Sequence, residues 1–157
     1  MKLKPNYFII PLITVSVILL GGLFTRWGLP WYNDQLIRPE ITPPSWVFPL
    51  AWNTIFILTT IAVLILWHQG RKKVREFATV IGLFAVNAFL NVLWSFLFFY
   101  LHWIGLALLE MLFLEITLVW LVMLVKRSSI IAAVLLWPYL LWVGFATYLT
   151  LLIFNLN

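Results

Sequence analysis

The chain has 157 residues, 64% of them hydrophobic and only 10% charged, with a mean hydropathy of +1.06. A water-soluble fold of this length has too much surface relative to its volume to hide so much apolar side chain, so lipid must solvate most of it. The net charge of +5 lies between apolar runs rather than on one basic face, which argues against a nucleic-acid partner, and the absence of cysteine excludes disulfides, thiolate catalysis and Cys-based metal sites.

Five apolar runs are long enough to cross a bilayer core of roughly 30 Å, which takes about 20 helical residues. They cover 7–24, 46–67, 77–100, 103–125 and 129–154. Backbone groups in lipid must be satisfied internally, so continuous runs of this length predict helices. The alternating ten-residue segments of a β-barrel do not occur. The predicted fold is an all-α integral membrane protein, a five-transmembrane-helix bundle forming one domain over 1–157. Lys2 and Lys4 before the first run resemble a signal peptide, but the run is long for one and no A-x-A site follows, so a retained span is expected.

The first connection, from about Thr25 to Ser45, carries Trp27, Pro30, Trp31, Tyr32, Pro39, Pro43 and Pro44. Proline fixes φ and pushes the preceding residue toward extended geometry, so this stretch is expected to be stiff and largely non-helical. Two readings stand: an aromatic belt at headgroup level, or a lid capping a pocket in the bundle. Leu29, Tyr32 and Arg38 also fit the loose pattern proposed for cholesterol contact, which arises often by chance.

Along the second run, Phe48, Trp52, Phe56 and Thr59 share a helix face. The third run places Asn87, Asn91 and Ser95 at four-residue spacing, with Trp94 and Phe98 on the same stripe. Intramembrane amides and hydroxyls either bond between helices or line a functional cavity. In the fourth run Glu110 and Glu115 point about 140° apart on a helix, so they cannot act as a hydrolase-type carboxylate pair. Bridging between helices or subunits, or proton relay, remain open for them. The fifth run has Trp142, Phe145, Ala146 and Leu149 on one face, after Pro138, where a kink is expected. Indoles and phenols combine flat apolar surface with one donor, which suits a planar ring system. His68 and His102 sit at opposite ends of spans and read as interfacial; no metal site is predicted.

With five spans, the N-terminus and the second and fourth connections share a side holding Lys2, Lys4, Arg71, Lys72, Lys73, Arg75, Lys126 and Arg127, while the other side has only Arg26 and Arg38. The positive-inside rule then places the N-terminus inside and the C-terminus outside, as in a bacterial cytoplasmic membrane.

Trp31-Tyr32, Pro39, Pro43-Pro44, Trp46-Val47-Phe48 and Trp52, then Asn91, Trp94-Ser95 and Phe98-Phe99, then Pro138-Tyr139-Leu140-Leu141-Trp142, Phe145-Ala146 and Leu156-Asn157 together resemble the tryptophan-rich sensory protein family, which includes the translocator protein, or peripheral benzodiazepine receptor, of animal mitochondria. The resemblance implies a five-helix membrane bundle, often a homodimer, binding porphyrins such as protoporphyrin IX and synthetic aromatic ligands near the first loop, with no covalent cofactor. It implies ligand contacts from Tyr32 and Pro43 in the loop, from Phe48, Trp52, Asn91, Trp94 and Ser95, and from Trp142 and Ala146. Ser45, Phe56, Phe96 and Thr150 depart from residues usual in the family (Gly, Tyr, Pro and Asn); losing the Asn and trailing cations argues against the sterol binding of animal members. The roles this suggests are a receptor that senses or transports tetrapyrroles, or a light-dependent enzyme degrading porphyrin with Trp52 and Trp142 as redox partners. A proton-coupled transporter using Glu110 is a third, though five spans show no inverted repeat.

Overall fold

A computed structural model describes residues 5–70 and 74–157. Five helices account for most of it: α1 (Asn6–Asp34), α2 (Val47–Gln69), α3 (Phe77–Ser95), α4 (Ile104–Lys126) and α5 (Ile130–Leu156). Each is long and apolar enough to span a bilayer. Large apolar side chains such as Leu12, Phe89, Ile116 and Leu141 point outward, as expected of a protein solvated by acyl chains. The protein is therefore an integral membrane protein. Of the cations used above to orient the chain, Lys2, Lys4, Arg71, Lys72 and Lys73 lie outside the described residues.

The helices close into a ring in the order α1, α2, α5, α4, α3. The core lies among α2, α3, α4 and α5, where Leu66, Val80, Leu118, Leu121, Leu136 and Val143 are fully buried. Among the described residues α2 and α3 have no extensive backbone contact, but two aromatic pairs join them: Trp52–Trp94 (6.2 Å between ring centroids) and Trp67–Phe77 (5.3 Å). First-half residues of α1 lie over the gap between these bridges.

Helix ends follow local chemistry. Ser129, in extended geometry, accepts a hydrogen bond from the Ala132 N–H on its Oγ and starts α5. Gly70 ends α2 at φ +74°, a conformation that favours glycine, and donates its N–H to the Leu66 and Trp67 carbonyls.

Two expectations need correction. The helix predicted to end near residue 24 runs on to Asp34, so Trp27, Pro30, Trp31 and Tyr32 belong to α1 and the connection shrinks to 35–46. Proline's φ suits a helix, and Pro30 costs α1 one backbone bond. Packing offsets that loss. Gly28, the buried residue of α1, meets the backbone of Phe99 so closely that a Cβ would lie 2.6 Å from the Phe99 carbonyl carbon. Trp31 packs on Phe98 at 5.6 Å and Tyr32 on Phe99 at 5.7 Å. The third span, predicted as one α-helix to residue 100, changes at Phe96–Tyr100 into a π-helical turn that buries Leu97, Phe98 and Phe99. Such turns insert one residue and recur at functional sites.

The shortened loop is pinned. Asn157 accepts the Ile37 N–H on Oδ1 (2.9 Å) and donates from Nδ2 to the Ile37 carbonyl (2.9 Å) and the Ile153 carbonyl (2.8 Å). Beside it, Leu36 is buried against the π turn, and Trp31 stacks on His102 at 4.1 Å and 16°.

Candidate functional site

At the loop end of the bundle, aromatic side chains from α1, α2, α3, the π turn and α5 cluster in two groups. Tyr32, now a helical residue, contacts Phe98 and Phe99, and these contact Trp94. Trp94 reaches Trp52 across the α2–α3 gap, and Trp52 meets Tyr139 edge-on at 6.3 Å. Phe48 packs edge-on against Trp142 at 5.9 Å, and Trp142 touches Phe145. Trp52, Trp94 and Trp142 all pack against the cluster containing buried Ala146. Pro43 stands half-buried in the loop.

The polar stripe of α3 faces inward. Asn87, Asn91 and Ser95 are 2%, 5% and 6% exposed. Asn91 donates from Nδ2 to the Tyr139 hydroxyl at 3.1 Å, Asn87 bonds the Leu83 carbonyl and the Thr117 hydroxyl, and Ser95 Oγ lies 3.5 Å from the Asn91 carbonyl. Tyr139 is the residue that the sequence reading missed as a polar partner; a phenol three residues before Trp142 on the same helix was the available signal.

Several buried polar atoms have no partner among the described residues. They include the indole nitrogens of Trp94 and Trp142 and the hydroxyl of Tyr32, all three among the residues named from the sequence. A buried donor left unpaired costs roughly 1–3 kcal/mol, so three at one end of a bundle call for a physical reason. Arg38 lies over the Tyr32 ring at 5.2 Å, bringing a cation to the same edge.

Glu110 is buried on α4 with neither carboxylate oxygen bonded, and Oε2 of Glu115 is likewise buried without a partner among the described residues. Of the roles left open for Glu110, a bridge to another helix of the same chain does not form among the described residues.

A cavity of about 330 Å³ lies deeper, between α1, α2 and α3. Of the nine residues named above as ligand contacts, it is lined by Asn91 alone; Phe56 and Tyr139 also reach it, while the three tryptophans of the cluster do not.

These features define an integral membrane protein of five spanning helices, rich in aromatic side chains at one end and with a buried amide stripe on its third helix. The chain belongs to the TspO/MBR family, whose profile matches residues 8–156. It is 35% identical over 145 residues to "Tryptophan-rich protein TspO" of Chlorobaculum tepidum, covering 92% of this chain and 91% of that one. The protein of the same name from Bacillus cereus is 30% identical over 157 residues, the full length of both. "Translocator protein" of Homo sapiens is 29% identical over 135 residues, 83% of this chain and 76% of the human one.

Proposed function

We propose that this protein binds porphyrins and similarly flat aromatic molecules at the loop end of its bundle, and that it senses or transports tetrapyrroles. The observation that carries the reading is the set of unpaired donors on Trp94, Trp142 and Tyr32, each standing among aromatic rings at the loop end. Flat rings supply stacking surface, and hydrogen-bond donors among them supply orientation. A porphyrin matches both needs, with an aromatic macrocycle and carboxylates at its edge that accept from such donors. Arg38, beside Tyr32, adds a charge of the complementary sign. Family membership and the resemblance of the motifs support the same ligand class. The charge asymmetry of the sequence favours an orientation with the N-terminus in the cytoplasm and the aromatic end outside, in a bacterial cytoplasmic membrane.

The test is a titration of purified protein with protoporphyrin IX, following pigment absorption and Trp fluorescence in darkness and in light, for the wild type and for Trp52→Phe and Trp142→Phe. Quenched fluorescence with intact pigment is the expected result. Pigment loss that needs light and both tryptophans would instead identify an enzyme, and no spectral change at all would remove porphyrin as the ligand.

A further inference from the structure

The deep cavity has dimensions of its own. Its walls run from Asn6 to Val17 on α1, from Phe56 to Trp67 on α2 and from Ile81 to Asn91 on α3, lengths of about 17, 17 and 15 Å at 1.5 Å per residue. That is half of a bilayer core of roughly 30 Å, the depth of one leaflet. A space of about 330 Å³ drawn out along this length has room for one hydrocarbon chain.

The lining is chemically suited to the same occupant. Its polar side chains are turned inward on the protein: Thr14 bonds the Ile10 carbonyl, Thr60 bonds the Phe56 carbonyl, and the two hydroxyls meet at 2.7 Å. The unpaired oxygens of Thr59 and Asn87 are shielded from the open space. What remains is aliphatic and aromatic surface. The α1 wall is thin. Ile9 and Ile13 line the cavity yet are 52% and 54% exposed, so its flank stands open to surrounding lipid.

At its mouth the cavity ends at Asn6 and Trp67. In the sequence, Lys2 and Lys4 precede α1 and Arg71, Lys72, Lys73 and Arg75 follow α2, so the positive-inside rule assigns six of the chain's ten Lys and Arg to the membrane side on which these helix ends lie. Basic residues at a membrane surface attract anionic headgroups.

We propose that the space beneath the first half of α1 is a binding site for one acyl chain of an anionic phospholipid, inserted laterally from the leaflet on the basic side, with its headgroup at the Asn6–Trp67 mouth. The site meets the aromatic cluster at the shared wall of Phe56, Asn91 and Tyr139, and the proposal does not depend on the porphyrin reading. The two aromatic bridges, Trp52–Trp94 and Trp67–Phe77, keep α2 and α3 joined at either end of it, and the chain fills the gap between them.

Native mass spectrometry of the full chain in mild detergent tests this, with phosphatidylglycerol or phosphatidylcholine supplied in equal amounts. The wild type is expected to retain one phosphatidylglycerol per chain and at least tenfold less phosphatidylcholine. Ala88→Phe fills the cavity from α3 and Ile13→Phe from α1; each should cut retention at least tenfold, with helix content by circular dichroism and protoporphyrin titration unchanged. If Ala88→Phe fails to fold, Ile13→Phe alone decides. A wild type that retains no lipid, equal retention of both headgroups, or folded variants that hold lipid as the wild type does would each overturn the proposal.

Discussion

Replacing Asn157 by Ala removes all three hydrogen bonds that tie the first loop to the end of α5, two of them to the Ile37 backbone and one to the Ile153 carbonyl. Each hydrogen bond contributes about 1 kcal/mol net, less where water competes, and the Ile37 pair is exposed. The loop also keeps its apolar anchor, because Leu36 stays buried against Leu97, Phe98 and Phe99. The variant should therefore ease local opening of 35–46 by about 2 kcal/mol, without unfolding the bundle. By the relation of 1.4 kcal/mol per decade, the Ile37 amide should exchange hydrogen about 30-fold faster. Amides in the middle of α4, such as that of Leu118, should not change. Protoporphyrin should also associate faster, because the loop caps the end where the proposed site lies. Unchanged protection at Ile37 would show that Leu36, not the amide clasp, holds the loop. Faster exchange at Leu118 as well would show that the loop is no separate unit, and the reasoning would fail on that count.

Three further outcomes follow from the packing. Gly28→Ala sets a methyl against the Phe99 backbone and should lower thermal stability by about 1–3 kcal/mol, whereas Gly22→Ala, with nothing within 4 Å, should be neutral or stabilising by up to about 1 kcal/mol. Trp94→Phe removes an unpaired indole N–H while keeping a ring to stack on Phe98; the ligand-free protein should lose no stability, and protoporphyrin affinity in a fluorescence titration should fall about 2- to 10-fold. Leu118→Ala, at a fully buried position, should cost about 2–5 kcal/mol in thermal unfolding; Ile116→Ala, two residues away and 64% exposed to lipid, should cost far less.

The five helices were legible because lipid permits few alternatives: a run of some 20 apolar residues can cross only as a helix. The inward stripe of α3 was legible for a related reason. Asn87, Asn91 and Ser95 recur every four residues, and an amide facing hydrocarbon is costly enough that such a stripe must turn toward protein; all three are buried. The last ten residues of α1 are not legible as helix in the sequence, because Pro30 and its neighbours carry a loop composition. What decides in the protein is a contact far along the chain, where Gly28, Trp31 and Tyr32 lie on the π turn. The π turn itself has no local sequence signal: Phe96, Leu97, Phe98, Phe99 and Tyr100 suit an uninterrupted helix equally well.

The aromatic cluster and the deep cavity differ in the same respect, and the difference is physical. Tryptophan, tyrosine and asparagine inside a span are rare enough that each is informative alone, so the residues of the loop end can be named before their neighbours are known. Ile10, Ile13, Val17, Val63 and Ala88 are what any membrane helix presents to lipid, and nothing in their spacing distinguishes a wall from an outer surface. The cavity exists because α2 and α3 meet through two aromatic bridges rather than along their length, with α1 laid over the space between. That is a property of three helices taken together. A site for a planar, hydrogen-bonding guest announces itself through costly residues; a site for a hydrocarbon chain is built from the cheapest residues a membrane protein has, and becomes visible only when the helices fail to close on one another.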